Sequence, residues 1–327
     1  MNTKVRQTKS NFEGREISDL KNMLETSSQI YKDNIAFKYN TAEGEIMEKT
    51  YEDLKKDVDS LGTKLIELGL KGKKIAIIGL NSYKWCVTYL ATVCGTGIVV
   101  PIDKALPANE IENLIEKSEA EAIFFDYKYL DKIKEIKGKN ISNLKYCVCF
   151  TAVESKTVES FDNLLNHGRN LLESGDKSFV EAKINPEECN MLIFTSGTTS
   201  ASKAVMLCHR NLASNVMAVN SVIGYRQEDV LLSFLPIHHT LECTVTFLTS
   251  IYSGACIAIC EGLRYVAQDL VKYKVSMFAS VPLVVESMYK KLQKAMEDSN
   301  NTLTKEQIIR IFRRKLKICT CWCSSTW

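Results

Sequence analysis

No Cys-x-x-Cys pair occurs in this chain of 327 residues, although it holds twelve cysteines. That absence removes the spacing expected of a zinc site or a redox-active dithiol. Cys86, Cys94, Cys189, Cys208, Cys243, Cys256 and Cys260 stand instead among apolar or small residues, as buried free thiols do, and Cys147 and Cys149 alternate along a strand-like stretch. A disulfide framework is not expected in a chain this long, so the cysteines are read as packing residues in a reducing cytosol. The first residues, MNTKVRQTKSNFEGRE, lack the apolar centre of a secretory signal. Excess charge of one sign is lacking too. Lys and Arg number 42 and Asp and Glu 39, a net +3 that makes no case for nucleic acid. Where charges are dense, as in EKSEAEAIFFDYKYLDKIKEIKGK, the signs are mixed, the composition of solvated helix faces.

Uninterrupted membrane-length runs are missing. Residues 85–102 and 243–260 carry no charge, but Gly95 and Gly97 interrupt the first and Gly254 the second. Each stretch is expected to be a buried helix, a glycine turn and a buried strand rather than a span. With no basic amphipathic helix evident, any membrane contact would be peripheral, through a lipid substrate. A cytoplasmic location follows as the expectation.

What is present is alternation. Residues 35–50 suggest two short strands joined at Gly44. Thr50 and Asp53 then have the spacing of a capping box, and Leu54, Val58, Leu61, Leu65 and Leu68 recur at helical intervals. From Lys74 onward apolar strands (KIAIIGL, GIVVPID, EAIFFD, KYCVCF) alternate with helices, and after residues 151–187 the pattern resumes with MLIFTS, DVLLSFLP, ACIAIC and VSMFASVP. The fold class expected is α/β, with largely parallel sheets flanked by helices. Residues 1–34 read as a polar leader and first helix, followed by subdomains over about 35–150 and 185–317. The tail 318–327, with Cys319, Cys321 and Cys323, changes composition abruptly. Cys-x-Cys-x-Cys lacks the second ligand cluster of a zinc site, so no metal is assigned there, and sequence beyond Lys317 is expected to be foreign to the fold.

Strand MLIF runs into TSGTTSASK, at the kind of strand end where open α/β sheets bind ligands. Thr195, Ser196, Thr198 and Thr199 offer hydroxyls, Gly197 permits close backbone approach, and Lys203 adds positive charge. These suit a polyphosphate. The stretch is not a P-loop, because Ser202 precedes the lysine and Ala204 follows it. On composition alone a Ser/Thr-rich loop without a ligand explains it equally well.

The stretch FTSGTTSASKAVMLCHRNL resembles the signature loop of the adenylate-forming (AMP-binding) superfamily, which includes acyl-CoA synthetases. Residues 195–199, Lys203, Val205, Met206, His209, Asn211 and Leu212 match the family pattern, while Ser200 and Ala204 replace glycines and Ser202 replaces a proline. LLSFLPIHHTLE resembles the next family motif, and GIVVPIDKALPANEIENLIEKSEAEAIFFD the segment holding a strand, Pro-x-Asp and a helix. The resemblance runs from about Ile35 to Lys317.

It implies a reaction in which a carboxylate attacks the α-phosphate of ATP, giving acyl-adenylate and pyrophosphate, and the thiol of coenzyme A then displaces AMP. A fatty carboxyl, with a pKa of roughly 4, is already ionised at neutral pH and needs no general base. The obstacle is bringing anions together, which hydroxyls, backbone N–H groups, a lysine and Mg²⁺ would relieve. The resemblance assigns Thr195, Ser196, Gly197, Thr198, Thr199 and Lys203 to the β- and γ-phosphates. It places His238 or His239 at the junction of acyl pocket and adenylate. Glu242 is likened to the long-chain branch and assigned to the acyl pocket, and His209 to a structural role. Downstream family motifs for adenine, ribose and the catalytic lysine are not found in these 327 residues. The expectation is therefore a synthetase portion with little activity by itself. The alternatives are a non-catalytic fragment with weak phosphate binding and an unrelated phosphate-binding α/β protein.

Overall fold

A computed structural model describes residues 12, 14–139, 143–195, 203–298 and 317–320. Asp19 caps helix α1 (Leu20–Ile30), its carboxylate accepting the Asn22 N–H at 2.8 Å. Strands β1 (Ile35–Asn40) and β2 (Ile46–Thr50) form an antiparallel hairpin, and Gly44 in its turn has φ 85°. The expected capping box opens helix α2 (Tyr51–Glu67). There Asp53 N–H donates to the Thr50 hydroxyl and Thr50 N–H donates to the Asp53 carboxylate, each at 3.0 Å. Leu54, Val58, Leu61 and Leu65 are fully buried along the α2 face that the spacing marks.

The alternation follows in order: β3 (Lys74–Ile78), α3 (Tyr83–Ala91), β4 (Ile98–Ile102), α4 (Ala108–Ser118), β5 (Ala122–Phe125), α5 (Leu130–Gly138), β6 (Tyr146–Cys149), β7 (Glu159–Ser160) and α6 (Phe161–Glu173). Next come β8 (Cys189–Thr195), β9 (Lys203–Cys208), α7 (His209–Ile223) and β10 (Val230–Ser233). A widened π-helical stretch, Glu242–Leu248, leads into α8 (Thr249–Ser253), then β11 (Cys256–Ile259), α9 (Val266–Lys272), β12 (Met277–Ser280), α10 (Pro282–Asp298) and β13 (Lys317–Thr320).

These strands make two sheets. One has the order β7-β6-β5-β3-β4-β8-β9, parallel except for β9; the other runs β13-β12-β10-β11-β1-β2, parallel except for β2. Alternate side chains of each strand serve opposite faces. Ile75 and Ile77 enter a core between the sheets, filled by Leu20, Trp85, Tyr89, Phe161, Val216 and Phe247 from the intervening helical segments and closed by Phe37 and Ile257 of the second sheet. Ala76 and Ile78 face α4 and α5 on the outside, meeting Ile111 and Ile133. The outer face of the second sheet packs Leu232 and Phe278 with Val266 of α9 and Val284 of α10. Strands covered on both faces explain the continuous apolar runs in the sequence.

Some expectations change. The chain does not divide between sheets at residues 151–187: β1 and β2 complete the sheet of the late strands, and β8 and β9 belong to the early one. Local periodicity marks a strand but not its partner, which long-range pairing decides. Residues 203–208, which the sequence does not set apart from the loop, form a strand antiparallel to β8. Residues 318–320, expected to be foreign, pair in parallel with Phe278, Ala279 and Ser280 of β12. Both uncharged stretches are helix, turn and strand as expected, and no helix among the described residues is long and apolar enough to cross a membrane.

Candidate active site

Strand β8 carries a gradient. Met191 is buried, Phe194 half-buried and Thr195 exposed. Thr195 pairs across the hairpin with Lys203, which is also exposed, so these two residues frame the segment between them at the carboxyl edge of the sheet. Ser196, Gly197, Thr198 and Thr199 lie outside the described residues.

Neighbouring β4 runs parallel to β8 with Val99 opposite Met191; four residues on from these stand Asp103, just past the end of β4, and Thr195, the last residue of β8. Adjacent strands are ~4.8 Å apart, so Asp103 ends at the same edge as the hairpin tip. The other sheet reaches this edge through the segment after β10. His238 Nε2 lies 3.5 Å from Asp103 Oδ1, and its ring is half-buried. Burial pushes the His238 pKa below the ordinary imidazole value, and Asp103 only partly offsets this. His239 is exposed; its Nδ1 accepts the Leu241 N–H at 3.3 Å, which turns that nitrogen to its own backbone. Of the adjacent pair, His238 alone meets Asp103 among the contacts described.

Asn81, after β3, fixes the relation of the two sheets and was missed by the sequence reading. Its amide nitrogen donates to Ser233 Oγ at 2.9 Å and to Leu235 O at 2.7 Å, and its oxygen accepts the Ile237 N–H at 3.2 Å. A single asparagine after a strand gives no sequence signal for contacts more than 150 positions away. Asn81 also borders a cleft of about 470 Å³ at the carboxyl ends of both sheets, with Tyr39, Lys104, Asp126 and Phe234. Asp126 accepts the Leu80 N–H at 2.5 Å, and a Cβ on Gly79 would meet its carboxylate at 2.9 Å. Glycine at the strand end leaves the carboxylate room for this approach.

Glu242, expected in the acyl pocket, lines neither of the two described cavities. It is fully buried in the π-helical stretch, with the Thr246 hydroxyl donating to Oε2 at 2.9 Å. Burial raises its pKa to about 8; Ser233 and the Phe234 amide offset part of the rise, yet neither gives Oε1 a hydrogen-bond partner. At neutral pH it is a protonated acid inside the core. His209 has the structural part expected of it: buried, with Nδ1 accepting the Leu20 N–H at 3.2 Å, it ties α7 to α1. Among the described residues no three His, Cys, Asp or Glu side chains converge as a metal site.

Residues 24–322 match the AMP-binding enzyme family. Fatty acyl-CoA synthetase A of Dictyostelium discoideum is 29% identical over 242 residues, 72% of this chain and 36% of its own length. Long chain acyl-CoA synthetase 3 of Arabidopsis thaliana is 27% identical over 272 residues, 78% of this chain and 40% of its own length. The chain thus spans well under half the length of these relatives. In structure it resembles a long-chain-fatty-acid-CoA ligase from Archaeoglobus fulgidus, with TM-score 0.74 and 20% identity over 90% of this chain and 57% of that one. It also resembles the anthranilate CoA ligase AuaEII, with TM-score 0.73 and 19% identity over 81% of this chain and 50% of that one. Two mixed sheets sandwiching a helical layer accompany a family match over residues 24–322: the protein belongs to the AMP-binding enzyme family.

Proposed function

We propose that this chain supplies the ATP- and carboxylate-facing portion of a long-chain fatty acyl-CoA synthetase. The observations that carry the proposal are the Thr195–Lys203 pairing at the end of β8 and the His238–Asp103 contact just past the end of the neighbouring strand β4. In this reading the turn hydroxyls and backbone N–H groups of residues 195–199 hold the β- and γ-phosphates, and Lys203 neutralises charge that grows on the departing pyrophosphate. The fatty carboxylate forms a new oxygen–phosphorus bond at the α-phosphate as the bond to pyrophosphate breaks. The thiol of coenzyme A then forms the thioester and AMP departs.

His238 serves as a neutral imidazole at this junction. Burial disfavours its charged form, and Asp103, 3.5 Å away, orients the ring. Asn81 holds the segment bearing His238 against the sheet bearing the hairpin. For the family's Mg²⁺, no cluster of three or more His, Cys, Asp or Glu side chains is present among the described residues.

The test combines equilibrium ATP binding with ATP–pyrophosphate exchange driven by a series of fatty acids, on the wild-type chain and on Lys203→Ala. Binding that weakens at least about tenfold in the variant, the scale of one charge-assisted contact, supports the reading. Exchange favouring palmitate-length acids supports the long-chain assignment. ATP binding unaffected by the substitution, or none at all, overturns the site.

A further inference from the structure

The β8–β9 hairpin holds a second chemical feature at the end remote from Thr195 and Lys203. Cys189 and Cys208 stand directly opposite each other in the antiparallel register. They are half-buried, whereas the seven other cysteines whose burial is described are buried. Residues opposed in an antiparallel pair project from the same face, with Cβ atoms roughly 4.5–5.5 Å apart. A disulfide needs Cα atoms about 4.4–6.8 Å and Cβ atoms about 3.5–4.5 Å apart; opposed strand residues satisfy the first, and the second asks for a shift of roughly 1 Å. Both thiols are free and hold only weak partners. Cys189 Sγ donates to Met191 O at 3.5 Å, and Cys208 Sγ lies 3.1 Å from Asn211 Oδ1. The register shifts by one residue between Cys189 and Met191, a bulge that leaves the ladder locally adaptable where a bond would form. A cavity of about 250 Å³, bordered by Cys189, Asn190 and His209, gives a small reagent access from the side away from the candidate active site.

We propose that Cys189 and Cys208 are a dithiol–disulfide pair that closes in response to a peroxide and fastens the base of the β8–β9 hairpin. One thiolate attacks the peroxide, becoming a sulfenic acid and releasing water. The second thiol displaces a further water from that sulfur to form the S–S bond. Two thiols and one hydrogen peroxide thereby yield one disulfide and two waters, and a dithiol reductant reverses the change. The bond joins the start of β8, anchored in the core, to the residue that caps α7. It ties both legs of the hairpin whose tip is framed by Thr195 and Lys203. An effect on nucleotide binding would rest on the function proposed above. The bond itself does not, so the two ideas fail separately.

The test uses the full chain, reduced, exposed to hydrogen peroxide, alkylated under denaturing conditions and digested with trypsin. Cleavage after Lys183, Lys203 and Arg210 places Cys189 in peptide 184–203 and Cys208 in peptide 204–210. The expected product is these two peptides joined and released by reductant. Cys208→Ser should lack it, with Cys189 then trapped by dimedone as a sulfenic acid. Hydrogen exchange at residues 203–208 should slow about tenfold or more in the oxidised protein and recover on reduction. Cys189 and Cys208 both still alkylatable after peroxide, or joined to other cysteines, overturns the pair. A joined pair with unchanged exchange overturns the fastening.

Discussion

Replacing Glu242 by glutamine should make the protein more stable at neutral pH, and increasingly so as the pH rises. The carboxyl titrates at about 8 in the folded chain because burial disfavours its charge. In the unfolded chain it titrates near ~4.3. Between these values the folded state keeps a proton that the unfolded state releases, so stability is greatest below the unfolded value and falls as pH rises to about 8. The slope is ~1.4 kcal/mol per pH unit, and by pH 7 the loss from this group amounts to roughly 4 kcal/mol. Glutamine is close to the protonated acid in shape, keeps an acceptor for the Thr246 hydroxyl, and has no proton to lose. Urea unfolding of both proteins between pH 5.5 and pH 7.5, followed by fluorescence of the buried Trp85, isolates the effect, because the other titrating groups cancel in the difference. The stability gap should widen by about 2–3 kcal/mol over that interval. A gap independent of pH would refute a neutral, buried Glu242.

Other outcomes follow from single contacts. Asp103→Asn should lower the His238 pKa further, since Asp103 is the group that raises it; NMR titration of the imidazole reads the shift directly. Lys21→Met should cost about 3 kcal/mol in chemical unfolding, because the Lys21 ammonium donates to the carbonyls of Phe179, Val180 and Ala182 at 3.1, 2.8 and 2.6 Å and its loss leaves them without that partner. Gly168→Ala should lower the melting temperature by several degrees, at a cost of ~2 kcal/mol or more, since a Cβ there would meet the Ser60 carbonyl oxygen at 1.8 Å where α6 packs on α2.

The sequence made most elements legible because their signals are local. The Thr50–Asp53 capping box, the leucine spacing of α2 and the bounds of α7 can each be read within about four turns of chain. What stayed hidden depends on partners far away. Nothing in IAFKYN says that β1 lies beside β11 rather than β3, and Asn81 and Lys21 read as ordinary polar residues until folding brings Leu235 and Val180 to them. Glu242 stands out through its motif, but a carboxylate in sequence carries no sign of its eventual burial. The half-buried state of Cys189 and Cys208 likewise arises from their place on an edge hairpin, while their composition matched that of the enclosed cysteines.

The same hairpin separates stability from binding along a few residues of one strand. Met191 is 1% exposed and packs in the central core, so truncating it creates a cavity and destabilises the whole fold. Thr195 and Lys203 lie at the exposed end, and β9 shields little, with Val205 41% and Met206 68% exposed. Substitutions there remove no core contact and should leave the unfolding free energy within about half a kcal/mol of wild type. A ligand seated between Thr195 and Lys203 would therefore add its binding energy to an element that contributes little otherwise. Saturating ATP should then raise the melting temperature of wild type but not of Lys203→Ala, from the same starting value. If Lys203→Ala instead lowered the ligand-free melting temperature as Met191→Ala must, the hairpin tip would be part of the structural core, and a phosphate-holding role would lose its physical basis.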